Sequence, residues 1–283
     1  MKKQTAVFLG ALSALTAAGG YLYHYENNCL QITRYEMKAD MERPLKLVHL
    51  SDLHGKKFGK SQQKLIGGVM SCGPDLIAVT GDMVNGRNAD QRELEETAQL
   101  LSALNDYAPV LYVAGNHEHH LGKRGFAAFR KVLSDHRIIV LSNEMVSIRA
   151  GGQNVTVLGM DEMEGAVDRQ TLQTLMGDFE VQEGFRLLLC HYPARFALDG
   201  EDSYQNFCFD LMLAGHSHGG QIVLPGIGGL YSPDQGLFPK YYKGMYGDMP
   251  KLIVSGGLGP SFFPVRLFNR PEVVCVIVSP NQE

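Results

Sequence analysis

Leu45-Lys46-Leu47-Val48-His49-Leu50, followed by Ser51-Asp52-Leu53-His54-Gly55, sets the pattern of this chain. An apolar run of strand length ends in a polar turn that contains glycine. A helical stretch comes next, near residues 61–71. The pattern then repeats twice. Asp75-Leu76-Ile77-Ala78-Val79-Thr80 ends in Gly81-Asp82-Met83-Val84-Asn85, with a helix over 90–104. Val110-Leu111-Tyr112-Val113-Ala114 ends in Gly115-Asn116-His117-Glu118, with a helix over 124–134. Strands alternating with helices predict a mostly parallel α/β sheet. Ligands of open α/β sheets bind beyond the carboxyl ends of the strands, and all three polar clusters fall there.

The second half changes rhythm. Short strands are expected at 138–141, 146–149 and 155–159, with Ala150-Gly151-Gly152-Gln153 as a hairpin turn. A helix near 169–176 precedes a strand at 186–190 that ends in His191-Tyr192-Pro193. The apolar run 209–214 ends in Gly215-His216-Ser217-His218-Gly219-Gly220, and further strands are expected at 252–255 and 273–278. Two sheets face to face, with helices outside, account for this order. The domain is expected over 44–283. A polar connector, 29–43, precedes it and holds a strand near Leu30-Gln31-Ile32-Thr33.

Gly215-His216-Ser217-His218-Gly219 also fits the G-x-S-x-G nucleophile elbow of serine hydrolases. That elbow needs a helix after the turn and a histidine later in the chain. Gln221-Ile222-Val223-Leu224-Pro225-Gly226 is no helix, and no histidine follows His218. The match is therefore set aside.

The side chains at strand ends are Asp52, His54, Asp82, Asn116, His191, His216 and His218. Each has a structural reading of its own, as a turn former, a helix cap or a core histidine. Together they are oxygen and nitrogen donors suited to zinc, iron or manganese. Seven donors exceed one tetrahedral zinc shell and fit two divalent metals that share a ligand. A carboxylate is the natural bridge, one oxygen facing each cation. The five cysteines form no C-x-x-C pair, which argues against thiolate zinc. A formal net charge of -4, with no long basic run, gives no reason to expect nucleic acid.

The N-terminus reads differently. Residues 5–25 carry no Asp, Glu, Lys or Arg, about the length that crosses a bilayer. Residues 1–28 are read as an uncleaved membrane anchor; a cleaved signal peptide and a soluble helix are the alternatives. Lys2 and Lys3 precede the segment, which puts the N-terminus inside and the main domain outside, at the cell membrane.

Asp52-x-His54, Gly81-Asp82-x-x-Asn85, Gly115-Asn116-His117-Glu118, His191 and Gly215-His216-x-His218 together resemble the signature blocks of the calcineurin-like metallophosphoesterases. With the N-terminal segment, the chain looks most like a bacterial, membrane-tethered branch of that superfamily. Gly219-Gly220-Gln221 and Arg266-Leu267-Phe268-Asn269-Arg270-Pro271 add to the likeness. The resemblance implies a four-layer α/β/β/α sandwich of two mixed sheets. It implies one metal held by Asp52, His54, Asp82 and His218. A second would be held by Asp82, Asn116, His191 and His216, with Asp82 shared. His117 would face the phosphate as acid or charge stabiliser, and Asn85 would be structural. The implied reaction is hydrolysis of a phosphate ester, most simply a diester, by a hydroxide between the metals. A monoesterase or protein phosphatase and an inactive scaffold are the alternatives.

Tyr231, Phe238, Tyr241, Tyr242 and Tyr246 lie in a Gly- and Pro-rich stretch shortly after His218. They form either a packed loop or an apolar lip that admits a lipid-linked ester.

Overall fold

The residues described by this computed structural model are 2–161, 167–197, 200, 202–261 and 263–281; the side chains of 2, 3 and 5–7 fall outside the description. Two six-stranded mixed sheets carry the fold. The first contains β1 (Gln31–Ala39), β2 (Leu45–Leu50), β3 (Leu76–Val79), β4 (Val110–Val113) and β5 (Ile139–Leu141), joined by the C-terminal strand β16 (Glu272–Pro280). Its order is β1-β16-β2-β3-β4-β5, with β2 to β5 parallel. The second contains β6 (Glu144–Ala150), β7 (Gln153–Met160), β8 (Phe185–Cys190), β9 (Leu211–Ala214), β14 (Gly244–Tyr246) and β15 (Lys251–Val254), in the order β14-β15-β9-β8-β7-β6. Between β9 and β14 lie two small ladders. One pairs β10 (Val223–Leu224) with β11 (Gly228–Gly229), the other β12 (Tyr231–Ser232) with β13 (Gly236–Leu237).

The layers follow from which faces are apolar. Leu45, Leu47, Leu76, Ala78, Leu111 and Val113 of the first sheet pack with Val155, Val157, Leu187, Leu189, Leu211 and Leu213 of the second. The first sheet's other face, with Val48, Leu50, Ile77 and Val79, is covered by α2 (Gln63–Met70), α3 (Gln91–Asn105) and α5 (Gly122–Asp135). The second sheet's outer face, with Leu158, Leu188 and Met212, is covered by α6 (Arg169–Glu180). The result is the expected α/β/β/α sandwich. Strands buried on both faces explain the near-continuous apolar runs in the sequence. Asp90 caps α3 by accepting from Glu93 N at 2.8 Å, and Asp168 caps α6 by accepting from Thr171 N at 3.0 Å.

The strand expected at residues 30–33 is longer and belongs to the first sheet. Gln31–Ala39 runs parallel to β16 along its whole length. The sequence between them spans the entire domain, so local pattern could not reveal the pairing.

The N-terminal segment forms a helix, α1 (Lys2–Asn28), 27 residues long. Among the described residues, however, no helix is long and apolar enough to cross a membrane. The helix as described does not support the expected transmembrane span. Gly10, Ser13, Thr16, Gly19, Gly20 and His24 dilute the apolar side chains, and residues 5–7 of the segment fall outside the described side chains. The last turn of α1 is fixed to the domain. Asn27 pairs with the Arg266 backbone through Nδ2 and Oδ1, and Glu26 accepts from Asn269 N at 3.1 Å. The Arg270 guanidinium stacks over the Tyr25 ring at 4.3 Å.

Candidate metal centre

The parallel strands of both sheets deliver their carboxyl ends to one cleft. Asp52 and His54 follow β2, Asp82 follows β3, and Asn116 and His117 open the short helix α4 (Asn116–His120) after β4. From the second sheet, His191 follows β8, and His216 and His218 follow β9. All eight side chains named from the sequence are brought together.

They form two groups. Donor atoms of Asp52, His54, Asp82 and His218 lie within 4.8 Å of one another, as do those of Asp82, His191 and His216. In the first group, His54 Nε2 is 3.1 Å from His218 Nε2, and His218 Nε2 is 3.3 Å from Asp52 Oδ1. In the second, His191 Nε2 is 3.1 Å from both His216 Nδ1 and Asn116 Oδ1. Asp82 belongs to both: its Oδ2 is 3.8 Å from His54 Nε2 and 3.4 Å from His191 Nε2. Its Oδ1 instead accepts from His117 N at 2.7 Å. One carboxylate oxygen therefore faces both groups, which corrects the expectation of one oxygen for each.

The donor set fits divalent cations. Imidazole nitrogens 3.1 Å apart share one proton as donor and acceptor when no cation is present, and both turn lone pairs to a cation that displaces that proton. Burial and neighbouring positive groups lower His54 and His216 to about 4 and His218 well below its ordinary value. These rings are neutral at pH 7, the form that ligates metal. Burial raises the Asp52 carboxyl to about 7. Burial also opposes ionisation of Asp82, yet His191 and His54 hold its carboxyl well below the usual range. His191 is the exception among the histidines. Burial would lower it, but Asp82 outweighs burial and lifts it to about 10. The Asp82 carboxylate thus draws positive charge to the junction of the two groups. His191 Nδ1 lies 2.6 Å from Thr80 O and donates its proton there, while the second proton, on Nε2, is the one Asp82 retains and a bound cation would displace.

The backbone is bent to make this possible. Asp52, His54, Asp82, His216 and His218 all have positive φ, between 47° and 64°. For residues with a Cβ this region costs roughly 1–3 kcal/mol each and marks functional sites. Glycine permits the closest approaches. A Cβ on Gly115 would lie 2.3 Å from Asp82 Oδ1, and one on Gly81 would lie 2.2 Å from Gly115 N.

The sequence reading gave three further residues no part in the centre. Glu118, fully buried, accepts from Asp82 N at 2.7 Å, Met83 N at 2.9 Å and Gly115 N at 2.7 Å. It staples two ligand-bearing turns together. Arg266, also buried, donates to the carbonyls of Gly256 and Gly259, and Gly259 N in turn donates to Asp52 O. Asn269 Nδ2 donates to His218 O at 2.7 Å. Two of these, Arg266 and Asn269, lay in the quoted stretch 266–271, but nothing in it says which carbonyls they reach.

Glu118→Gln tests the staple. A glutamine keeps one acceptor oxygen where the carboxylate has two, so at least one N–H loses its partner. Metal affinity, read by titration into metal-free protein, is expected to fall about 10–100-fold, the usual cost of losing an outer support. Unchanged affinity would show that Glu118 does not hold the ligand turns.

Comparison with known proteins agrees with this geometry. The model of the calcineurin-like phosphoesterase family matches residues 45–220. The chain belongs to that family and is a metal-dependent phosphoric ester hydrolase. It is 30% identical over 264 residues to the uncharacterized metallophosphoesterase YkoQ of Bacillus subtilis, covering 89% of this chain and 93% of the relative. It is 29% identical to the uncharacterized metallophosphoesterase YkuE of the same organism, covering 93% and 91%. It is 27% identical to the phosphodiesterase YaeI of Escherichia coli, covering 94% and 96%.

Proposed function

We propose that the chain is a phosphodiesterase with a binuclear metal centre. Asp52, His54, Asp82 and His218 would hold one divalent cation, and Asp82, Asn116, His191 and His216 the other. The observation that carries the two-metal reading is Asp82 Oδ2, which faces both groups at once. Two such cations, when bound, acidify water and offset charge on a transferring phosphoryl group.

The rest of the chemistry belongs to the chain. His117 sits at the mouth of the centre, its ring centroid 4.4 Å from that of His54. Among the described residues its buried Nδ1 has no hydrogen-bond partner, which suits the tautomer with the proton on Nε2, the form that gives a proton to the departing alkoxide. The Asn116 amide can both accept at the centre and donate to a phosphoryl oxygen. Holding these groups on strand ends orients them before substrate arrives.

Charge supports the diester. A diester carries one negative charge and a monoester about two. The described cleft lining is His54, Asp82, Asn85, Asn116, His117, His216, His218, Pro233, Pro260 and Ser261, without Lys or Arg. Lys56 and Arg266 line the adjoining pocket, which shares His54 and Pro260 with the cleft, but Lys56 Nζ donates to the Asn27 carbonyl and the buried Arg266 guanidinium to those of Gly256 and Gly259. YaeI, a relative named as a phosphodiesterase, points the same way.

Turnover with manganese separates the readings. Bis(p-nitrophenyl) phosphate is expected to exceed p-nitrophenyl phosphate in kcat/KM by about tenfold or more, an advantage of about 1.4 kcal/mol. The reverse order would assign the chain to the monoesterases.

A further inference from the structure

A second pocket opens beside the metal cleft, with a volume of about 230 Å³. Ile222, Leu230, Tyr231, Pro233 and Phe263 form its apolar wall. Pro233 and Ser261 line both the pocket and the cleft, and Ser217, between His216 and His218, lines the pocket as well. A group at the metal centre and a group in this pocket can therefore be two parts of one molecule.

The pocket is built into the fold. Leu230 N donates to Ile222 O at 2.9 Å, Val223 N donates to Leu267 O at 3.0 Å, and the Gln221 amide donates to the Phe263 carbonyl. Yet Ile222, Leu230, Tyr231 and Phe263 belong to none of the three hydrophobic cores. Tyr231 and Phe263 are 44% and 53% exposed. The aromatic residues are thus divided. Tyr241 is 6% exposed and packs edge-on against Phe196 and Tyr246, which makes it core rather than lip.

Taking the chain as a phosphodiesterase, we propose that this pocket holds the hydrocarbon chain of its substrate. The substrate class is then an alkyl- or acyl-bearing phosphodiester, not a nucleotide or sugar diester. Ser217, Gln221 and Ser261 also line the pocket, but the Ser217 hydroxyl donates to the Tyr241 carbonyl and the Gln221 amide to that of Phe263, while the apolar side chains reward removal of methylenes from water. An apolar cavity of roughly 150 Å³ takes up a benzene ring, so this one has room for about eight carbons.

Binding to the manganese-loaded full chain tests the proposal by calorimetry, with ethyl phosphate and octyl phosphate as probes. Each buried methylene tightens binding by up to about fourfold, so octyl phosphate is expected to bind about thirtyfold tighter or better. Ile222→Asn and, separately, Phe263→Ser should each shrink that ratio to roughly a few-fold, as expected when one apolar wall residue is lost. Val181→Ser, at the exposed end of α6, should leave the ratio as it is. Equal affinity of the two probes in the wild type overturns the proposal, as does an unchanged ratio in both wall variants. Turnover of p-nitrophenyl ethyl and octyl phosphates tells this failure from that of the diesterase reading. Tight octyl binding without diester turnover would sink that reading alone, and diester turnover without chain preference would sink the pocket alone. A hexadecyl ester embedded in phosphatidylcholine vesicles identifies the source of the chain. Its cleavage supports a membrane lipid, and its exclusion, with the octyl ester still preferred, supports a soluble ester.

Discussion

Asp82→Asn is expected to lower turnover by about three orders of magnitude or more, a loss above about 4 kcal/mol of transition-state stabilisation. The argument is electrostatic and geometric together. Asp82 is 1% exposed, and its Oδ2 is the one atom common to both donor groups. An amide at this position is neutral and turns either a weakly donating oxygen or an N–H toward His54 and His191. It cannot draw two cations to one point. The Oδ1 bond from His117 N can survive in the amide, so the turn itself should persist. Circular dichroism of the variant should accordingly remain native. Near wild-type turnover in a folded Asp82→Asn chain would sink the shared-ligand account.

His117→Ala should produce a loss of another kind. Turnover is expected to fall about 10²–10⁴-fold, the usual range for a missing general acid. Metal content should not change, because no donor atom of His117 belongs to either group. The deficit should also depend on the leaving group. An ester of p-nitrophenol departs without help, whereas an alkyl alcohol needs the proton, so the alkyl ester should suffer more. Loss of metal in this variant, or equal deficits on both esters, would place His117 in another role.

Much of the fold was legible because the apolar runs are short, buried on both faces and separated by polar turns. β2, β3 and β4 could be read one by one, and their polar ends named five of the eight site residues, Asp52, His54, Asp82, Asn116 and His117; the end of β8 added His191. His216 and His218 were legible for the same reason, at the end of β9. What stayed hidden depends on partners far along the chain. β1 pairs with β16, and no periodicity in residues 31–39 announces a partner at 272–280. Glu118, Arg266 and Asn269 act on backbone N–H and C=O groups, which are the same in every residue and leave no trace in sequence. Tyr241 in the core and Tyr231 at the pocket have the same side chain, and only packing tells them apart. The positive φ of five donor residues is likewise invisible, since none is glycine.

The most direct test of the two-metal centre is the metal content of the purified chain, measured by mass spectrometry of the element after loading with manganese and removal of excess. Two ions per wild-type chain are expected, and fewer than one per Asp82→Asn chain, because loss of the shared carboxylate weakens both groups together. One ion per wild-type chain, or two ions retained without Asp82, would contradict the account.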